Sequence, residues 1–169
     1  MRFGLTTIVT TLAVLVADVT AAPSAELETR ALTADQTGGL TMQNNGRATG
    51  KIRALAWDAT LASQATAYAQ QLGSLQRLQH SGVGGENLFY ESAGTKPYTD
   101  AAVAWMKEAP YYHHEAIPQG AFSSYGHYTQ CMWNTTTKVG MGAYKDSNGA
   151  WWVVARYSPP GNYVGKKPF

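Results

Sequence analysis

The chain contains a single cysteine, Cys131, among its 169 residues. A lone thiol rules out an intramolecular disulfide framework and any multi-thiolate zinc site. The fold must therefore be held by a packed core. Hydrophobic residues make up 44% of the chain and charged residues only 14%, a balance that can supply one. Any metal site must use histidine and carboxylate ligands.

The first residues follow the order of a secretory signal peptide. Arg2 precedes an apolar run over residues 5–17, and small residues continue to Ala21. We predict a signal peptide over residues 1–21, a flexible leader over residues 22–32 and one domain over residues 33–169. The apolar run is shorter than the roughly 20 residues that span a bilayer, and no later segment qualifies. We therefore expect a secreted, extracellular protein with no transmembrane anchor.

Net charge and one modification motif bear on partners and processing. The net charge of +2 at pH 7 is too small to indicate nucleic acid as the main partner. Asn134 begins an Asn-Thr-Thr sequon, which is typical of glycoproteins that pass through a eukaryotic secretory route. We therefore expect glycosylation at Asn134.

Three helices are predicted in the first part of the domain. Thr33 and Gln36 have the spacing of a capping box, which predicts a helix to about Thr49. Thr99 is predicted to cap a third helix that ends near Glu108. Between them, Asp58 is a favourable cap for a second helix, whose apolar residues follow at steps of four and three: Leu61, Ala65, Tyr68, Leu72 and Leu75.

The remaining segments predict a long loop and a late hairpin. Residues 79–97 are rich in glycine and serine, which is typical of a long loop. Residues 139–144 and 151–157 are strand-like, and Asp146-Ser147-Asn148-Gly149 between them is a turn signal. Early helices followed by an antiparallel hairpin indicate a layered α+β domain.

The candidates for chemistry are two histidines and two glutamates, namely His80, Glu86, Glu108 and His127. Glycines between His80 and Glu86 let the backbone turn tightly enough to bring these side chains together. Such a set can bind a divalent ion, form a His–Glu proton-transfer pair or make a structural hydrogen-bonded network. The rival cluster at residues 113–115 is predicted to be solvated surface, because adjacent side chains point apart.

Six short motifs occur in a characteristic order along the chain. They are Leu78-Gln79-His80-Ser81-Gly82, Gly85-Glu86-Asn87, Trp105-Met106-Lys107-Glu108, Gly126-His127-Tyr128-Thr129-Gln130, Lys138-Val139-Gly140-Met141-Gly142 and Ser158-Pro159-Pro160-Gly161-Asn162-Tyr163. From about Leu40 to Phe169 the chain thereby resembles the CAP superfamily. That superfamily comprises cysteine-rich secretory proteins, insect antigen 5 proteins, plant pathogenesis-related proteins of class one and secreted fungal relatives. The chain is most similar to its fungal and plant-type members.

The resemblance implies a fold and a site. The fold is a three-layer α-β-α sandwich of the α+β class with a central antiparallel sheet. In the site, His80 and His127 are implied to ligate zinc or another divalent cation, with Glu86 and Glu108 nearby in the same central cleft.

The chain departs from the family pattern at several positions. The expected cysteine positions hold Gln76, Met141 and Ala155. The family's His-Asn pair near the start of the domain is here Gln43-Asn44, with Arg47 at the matching spacing. These departures leave the packed core to replace the disulfides, and they leave the role of the first polar position open.

The resemblance also implies binding of sterols or related small lipids, in lipid export or sterol sequestration. The predicted apolar contacts are Phe89, Tyr90 and Tyr98. Residues 91–97 are predicted to act as a mobile flap over a sterol ring system, whose transfer from water is driven by apolar burial. The alternative for these aromatic side chains is that they close the core.

Two other functions are kept as alternatives. In a zinc-dependent hydrolase or protease, Glu86 or Glu108 would serve as general base beside the metal-bound water. The sequence lacks the His-Glu-x-x-His helix that would make a metalloprotease assignment strong. A secreted ligand for a receptor or host surface would instead use the loop over residues 111–124.

Cys131 is predicted to be a small buried hydrophobic residue. The alternative is a Cys131–His127 catalytic dyad, since a step of four residues puts both side chains on one helical face.

Overall fold

The computed structural model of the protein describes residues 31–169. The predicted signal peptide and all but the last two residues of the predicted leader lie outside the described residues. The helices are α1 (Ala34–Thr49), α2 (Ala59–Leu75), α3 (Pro97–Met106) and α4 (Gly126–Cys131), and the strands are β1 (Ala56–Trp57), β2 (Glu86–Glu91), β3 (Lys138–Lys145) and β4 (Trp151–Ser158). Within residues 31–169, no helix combines the length and apolarity that a membrane span requires.

Helix α1 begins and ends where the sequence predicts. The Thr33 hydroxyl accepts from the backbone N–H of Gln36, and the Gln36 side chain accepts from the N–H of Thr33, so the capping box is complete. Glycines in its first turns do not break the helix, because they allow close packing on α3. A Cβ at Gly39 would lie 2.8 Å from the Tyr98 carbonyl oxygen.

Helix α2 is capped as predicted, since Asp58 Oδ1 accepts from the N–H of Leu61 at 3.0 Å. Ala65 and Leu72 are fully buried. Leu75 departs from this pattern, since it is the last residue of α2 and is 44% exposed.

The sheet has the strand order β1-β3-β4-β2. Strands β3 and β4 form the predicted hairpin, in register from Lys138 opposite Ser158 to Lys145 opposite Trp151. Strand β2 pairs antiparallel with the other side of β4. The three long strands are therefore antiparallel, as expected. The two-residue β1 adds a parallel edge beside β3, which makes the sheet mixed.

The sheet separates two apolar clusters, and this gives the expected three layers. On one face α2 packs against β3 and β4, and the buried residues of this cluster are Ala65, Ala69, Leu72, Leu88, Trp152 and Val154. On the other face lie α1, α3 and α4, and the buried residues are Leu55, Ala101, Trp105, Cys131, Val139, Met141, Val153, Ala155 and Tyr157. The fold is thus an α+β sandwich held by its core.

Two local predictions are wrong. Residues 79–97 are not one loop, because β2 occupies the middle of this range and completes the sheet beside β4. Helix α3 begins at Pro97 rather than after Thr99, and it ends at Met106. Its first amides are satisfied from α1, since Asp35 accepts from the N–H groups of Tyr98 and Thr99 at 3.1 and 3.0 Å. A cap supplied by another helix leaves no local signal.

Candidate functional site

A cleft of about 600 Å³ opens where the loop before β2 faces the start of α4. Its size lies within the range of roughly 300–1,000 Å³ that is usual for small-molecule sites. The loop side supplies His80 and Glu86, and the α4 side supplies His127, with Phe122 and Asn162 at the walls. The structure thus brings the two predicted histidines to one cleft from separate elements.

On the loop side, His80 and Glu86 form a hydrogen-bonded pair. The Nδ1 atom of His80 lies 2.8 Å from Glu86 Oε1. The His80 side chain is 61% exposed, whereas that of Glu86 is only 1% exposed. A buried carboxylate therefore holds one edge of an exposed imidazole ring and leaves the other edge to the cleft.

The Glu86 carboxylate has further donors around it. The Ser81 backbone N–H and hydroxyl donate to it at 2.9 and 2.7 Å, and Arg156 Nη2 lies 3.0 Å from Oε2. Burial alone would raise the pKa of Glu86. The hydrogen bonds from His80 and Ser81, together with the charge of Arg156, outweigh burial and lower this pKa below its usual value. Glu86 is therefore ionised at neutral pH, so the His80 ring donates to it through Nδ1–H.

On the other side, His127 and Glu108 form a second pair. The Nδ1 atom of His127 lies 2.7 Å from Glu108 Oε1. Glu108 Oε2 accepts from the backbone N–H groups of His127 and Tyr128, each at 3.0 Å. Because these are first-turn amides of α4, the carboxylate both caps the helix and orients the imidazole.

The two pairs share an arrangement that suits a metal. A histidine that ligates zinc through one ring nitrogen usually donates its other N–H to a carboxylate or carbonyl. Here Nδ1 makes that bond in both residues, and in residues 31–169 neither Nε2 has a hydrogen-bond partner. In the same part of the chain, no group of three or more His, Cys, Asp or Glu side chains is arranged to hold a metal ion. In the described residues, the two imidazole rings are thus each held through Nδ1, and Nε2 of each is not engaged.

The three predicted lipid contacts do not come together. Phe89 and Tyr90 are neighbours on β2 and point to opposite faces of the sheet. Phe89 and Tyr98 pack against the core on the α3 side. Tyr90 lies on the α2 side, and its ring centroid is 4.6 Å from that of Trp152. In the segment predicted to be a flap, the Gly94 carbonyl accepts from Trp151 Nε1 at 3.1 Å.

Tyr90 instead belongs to a surface groove of about 360 Å³, which we call the Tyr90 groove. Leu78 and Trp152 supply its other apolar walls, and Gln76 and Arg77 supply its polar ones. Tyr90 is 43% exposed and Leu78 is 47% exposed. The groove is therefore an apolar, open hollow on the α2 side of β2.

Cys131 is the small buried side chain that the sequence predicts, with no exposed surface. Burial raises the pKa of its thiol to about 12. Its Sγ lies 3.3 Å from the Tyr157 hydroxyl, while the Nδ1 atom of His127 is engaged by Glu108. A dyad needs a thiolate near neutral pH, so the structure does not support that alternative.

The predicted glycosylation site, the predicted interaction loop and the rival cluster take no part in the two His–Glu pairs. Asn134 is exposed in the turn after α4, and its glycosylation stays a prediction. The loop over residues 111–124 packs through Tyr112 and Ile117 in an aromatic cluster with Tyr125 and Trp133. Glu115 in the rival cluster accepts from the backbone N–H of His113, as solvated loop residues do.

Several buried polar residues behind the cleft were not predicted. Gln43 Oε1 accepts from the Tyr157 hydroxyl at 2.8 Å, so Gln43 has a structural role in the α1 layer. Asn87 Nδ2 donates to the His127 carbonyl at 3.0 Å. Arg47 is fully buried among backbone carbonyls. The spacing of four between Gln43 and Arg47 was an available signal for a buried polar stripe on α1.

Comparison with known proteins places this architecture in a family. Residues 40–157 match the model of the CAP family, the cysteine-rich secretory protein family. The chain is 36% identical over 131 residues to pathogenesis-related protein 1C of Nicotiana tabacum, covering 77% of this chain and 78% of the relative. It is 39% identical over 133 residues to pathogenesis-related protein PR-1 of Medicago truncatula, covering 75% of each.

Solved structures agree with the fold. The crystal structure of NaASP2 with Zn²⁺ superposes with a TM-score of 0.70 at 25% identity, covering 83% of this chain and 88% of that one. The hookworm platelet inhibitor gives a TM-score of 0.68 at 20% identity, covering 82% and 76%, and so shows the shared fold alone. With its α-β-α layers, its paired histidines and this similarity over most of its length, the chain belongs to the CAP family of cysteine-rich secretory proteins.

Proposed function

We propose that this chain is a secreted CAP protein whose cleft binds a divalent cation, with Zn²⁺ as the best fit, through Nε2 of His80 and His127. The observation that carries the proposal is the pair of carboxylate bonds to Nδ1, which orients each imidazole with Nε2 as the lone-pair nitrogen. Neutral imidazole is a ligand that zinc favours. A structural relative supports zinc as the ion, since NaASP2 was solved with Zn²⁺. The signal-peptide pattern supports export.

The roles of the carboxylates favour binding over the hydrolase alternative. Glu86 and Glu108 each accept several hydrogen bonds from ring, hydroxyl or backbone donors. A bound zinc ion would supply Lewis-acid chemistry and positions for water in the cleft. The two carboxylates orient the ligands, a role different from that of a general base facing the cleft.

Zinc titration of the mature protein by calorimetry tests the proposal. We expect one equivalent bound by the wild type and no stoichiometric uptake by the His80→Ala, His127→Ala double variant. His113→Ala is the matched control, because His113 lies outside the cleft, and it should bind zinc as the wild type does. Circular dichroism should show that all variants are folded. Equal uptake by the double variant and the wild type would refute the assignment.

We propose sterol or related small-lipid binding as a second function, located in the Tyr90 groove. Its support is the exposure of Tyr90 and Leu78 beside Trp152, an apolar surface that a ring system could cover. Burial of apolar area is worth roughly 25 cal/mol per Å², so a flat apolar ligand gains most where such side chains adjoin.

Saturation binding of labelled cholesterol tests the lipid proposal. We expect Tyr90→Ala to weaken binding, whereas Tyr111→Ala should not, because Tyr111 is a more exposed tyrosine remote from the groove. Addition of a chelator should leave cholesterol binding unchanged, because the groove and the cleft have no lining residue in common. Identical affinity in Tyr90→Ala and wild type would rule out the groove as the site.

A further inference from the structure

The two histidines of the cleft belong to elements that are far apart in the sequence. The distance between their rings is therefore set by tertiary contacts. His80 lies in the loop before β2, and His127 lies in the first turn of the short helix α4. Two adjacent residues of β2 contact these histidines, one residue for each histidine. Glu86 holds the ring of His80, and Asn87 donates from Nδ2 to the backbone carbonyl of His127 at 3.0 Å.

We propose that Asn87 is a positioning residue that sets the separation of the two imidazoles by tying β2 to α4. The inference rests on the proposed metal function of the cleft. It concerns the geometry that makes two side chains on different elements act as one pair of ligands.

The surroundings of Asn87 give its amide a defined orientation. The residue is 1% exposed. Besides the His127 carbonyl, Nδ2 lies 3.3 Å from the Tyr157 hydroxyl and 3.5 Å from Cys131 Sγ. The Tyr157 hydroxyl donates its own proton to Gln43 Oε1 at 2.8 Å, so its oxygen is left as an acceptor toward Asn87. The donor end of the amide therefore faces α4.

Only a donor fits at this position. A carboxylate of the same shape would put an oxygen against the His127 carbonyl oxygen, which can only accept. That contact is repulsive, and relief requires β2 and α4 to move apart. Because Glu86 precedes Asn87 on the same strand, such a movement also shifts His80 relative to His127.

Other side chains hold α4 to different parts of the fold. Glu108 holds the first amides of α4 from the end of α3, and Arg47 holds the carbonyl of Cys131 from α1. Both come from the helical layer. Asn162, which follows β4, donates to the Gly126 carbonyl, and Cys131 Sγ lies 3.3 Å from the Tyr157 hydroxyl of β4. None of these groups belongs to β2. Asn87 makes the side-chain hydrogen bond that joins the backbone of His127 to the strand carrying Glu86.

The test measures metal binding in Asn87→Asp and Asn87→Ala. Outer-shell partners of metal ligands typically change affinity by roughly 10–100-fold when removed, and we expect a loss of that size for zinc. With Co²⁺ as a spectroscopic probe, we expect the visible d–d bands of both variants to shift or weaken. Leu72→Ala is the control, since it removes a buried side chain from the α2 layer without touching the cleft. That variant should lose thermal stability yet keep the wild-type zinc affinity and Co²⁺ spectrum.

The outcomes separate this inference from the metal proposal. If the wild type takes up no zinc, or takes it up equally without His80 and His127, the proposed function fails. If zinc binds through the two histidines and a folded Asn87 variant keeps the wild-type affinity and Co²⁺ spectrum, the positioning role alone is overturned. If neither variant folds, NMR of the wild type provides the test of the positioning role. Zinc loading should slow hydrogen exchange of the Asn87 side-chain amide, and an unchanged rate would overturn the inference.

Discussion

At the scale of single residues, Arg47 explains how the helical layer closes without a disulfide. Its guanidinium is fully buried. It donates to the backbone carbonyls of Arg53, Cys131, Trp133 and Thr136 at 2.7, 2.7, 2.9 and 2.8 Å. One side chain thus joins α1 to the end of α4 and to the segment that follows it. The planar fork of arginine makes this possible, because it carries donors in several fixed directions.

We expect Arg47→Met to lower the free energy of unfolding by about 3 kcal/mol or more, because it leaves buried carbonyls without donors. Arg47→Lys should recover part of this loss, since an ammonium reaches fewer of the four oxygens. Urea unfolding measures both effects. Arg53→Met is the control, because the side chain of Arg53 is exposed and only its carbonyl is used. An Arg47→Met variant as stable as this control would contradict the account.

Asp146 is a second residue that makes contacts near a position where the family pattern has a cysteine. Gln76, at an expected cysteine position, donates to Asp146 Oδ2 at 3.0 Å, and so does Trp152 Nε1. These bonds from Gln76 and Trp152, with the backbone N–H groups of Ala150 and Asn148, lower the pKa of Asp146 to about 2. A hydrogen-bonded carboxylate therefore links the end of α2 to the β3–β4 turn.

The lowered pKa predicts a pH dependence of stability with a definite sign. A carboxyl group whose pKa is lower in the folded state stabilises the protein above its unfolded pKa, and this stabilisation is lost as pH falls through the folded pKa. We expect Asp146→Asn to melt below the wild type at pH 7 and the difference to shrink between about pH 4 and pH 2. Thermal melting at pH 7 and at pH 2.5 measures it. A difference of equal size at both pH values would show that the charge of Asp146 is not involved.

At the scale of elements, two glycines of β3 decide how closely α2 approaches the sheet. A Cβ at Gly140 would clash with the backbone nitrogen of Ala62, and one at Gly142 would clash with that of Thr66. The step of two on the strand matches a step of four on the helix, so both glycines face one stripe of α2. The motif Val139-Gly140-Met141-Gly142 is therefore a packing motif for this layer.

We expect Gly142→Ala to lower the free energy of unfolding by about 1–3 kcal/mol or more. This is the usual cost of overpacking, and the added Cβ here clashes with the backbone of a helix. Gly84→Ala is the matched control, since a Cβ there meets no atom closer than 3.5 Å. Chemical unfolding of the two variants makes the comparison. Equal stability of Gly142→Ala and Gly84→Ala would contradict the close-packing account.

The elements also show which structure was predictable. Helix α2 and the β3–β4 hairpin carry their caps and turn within a few residues, so the sequence predicts them well. Helix α3 receives its cap from Asp35, 63 residues before Tyr98, so its start was misplaced. Strand β2 was missed because its glycine-rich approach resembles a loop, while its strand character depends on pairing with β4. Local signals predicted local structure, and tertiary contacts decided the rest.

At the scale of the whole molecule, the candidate site depends on bringing separate layers together. His80 and Glu86 are six residues apart and pair across a glycine turn, which the sequence suggested. His127 and Glu108 are 19 residues apart and pair only because α3 ends beside the start of α4. The motif resemblance predicted the four residues. The pairing of His127 with Glu108 and the bond from Asn87 to the His127 carbonyl were not predicted.

The predicted lipid contacts are divided between the two faces of the sheet. Phe89, Tyr90 and Tyr98 are close in sequence, but the alternation of β2 sends Phe89 to one apolar cluster and Tyr90 to the other face. Sequence proximity cannot identify a shared binding surface when the residues lie on a strand within a sandwich. The Tyr90 groove is therefore defined by Leu78 and Trp152, which only the fold brings beside Tyr90.

A two-imidazole zinc site at His80 and His127 is directly observable in a crystal. Anomalous diffraction at the zinc edge from zinc-loaded crystals tests it most directly. We predict one strong peak in the cleft, about 2.0–2.1 Å from Nε2 of both histidines, with Nδ1 still bonded to Glu86 and Glu108. A peak at His113 and His114 with none in the cleft, or a cleft peak bound by only one histidine, would contradict the claim.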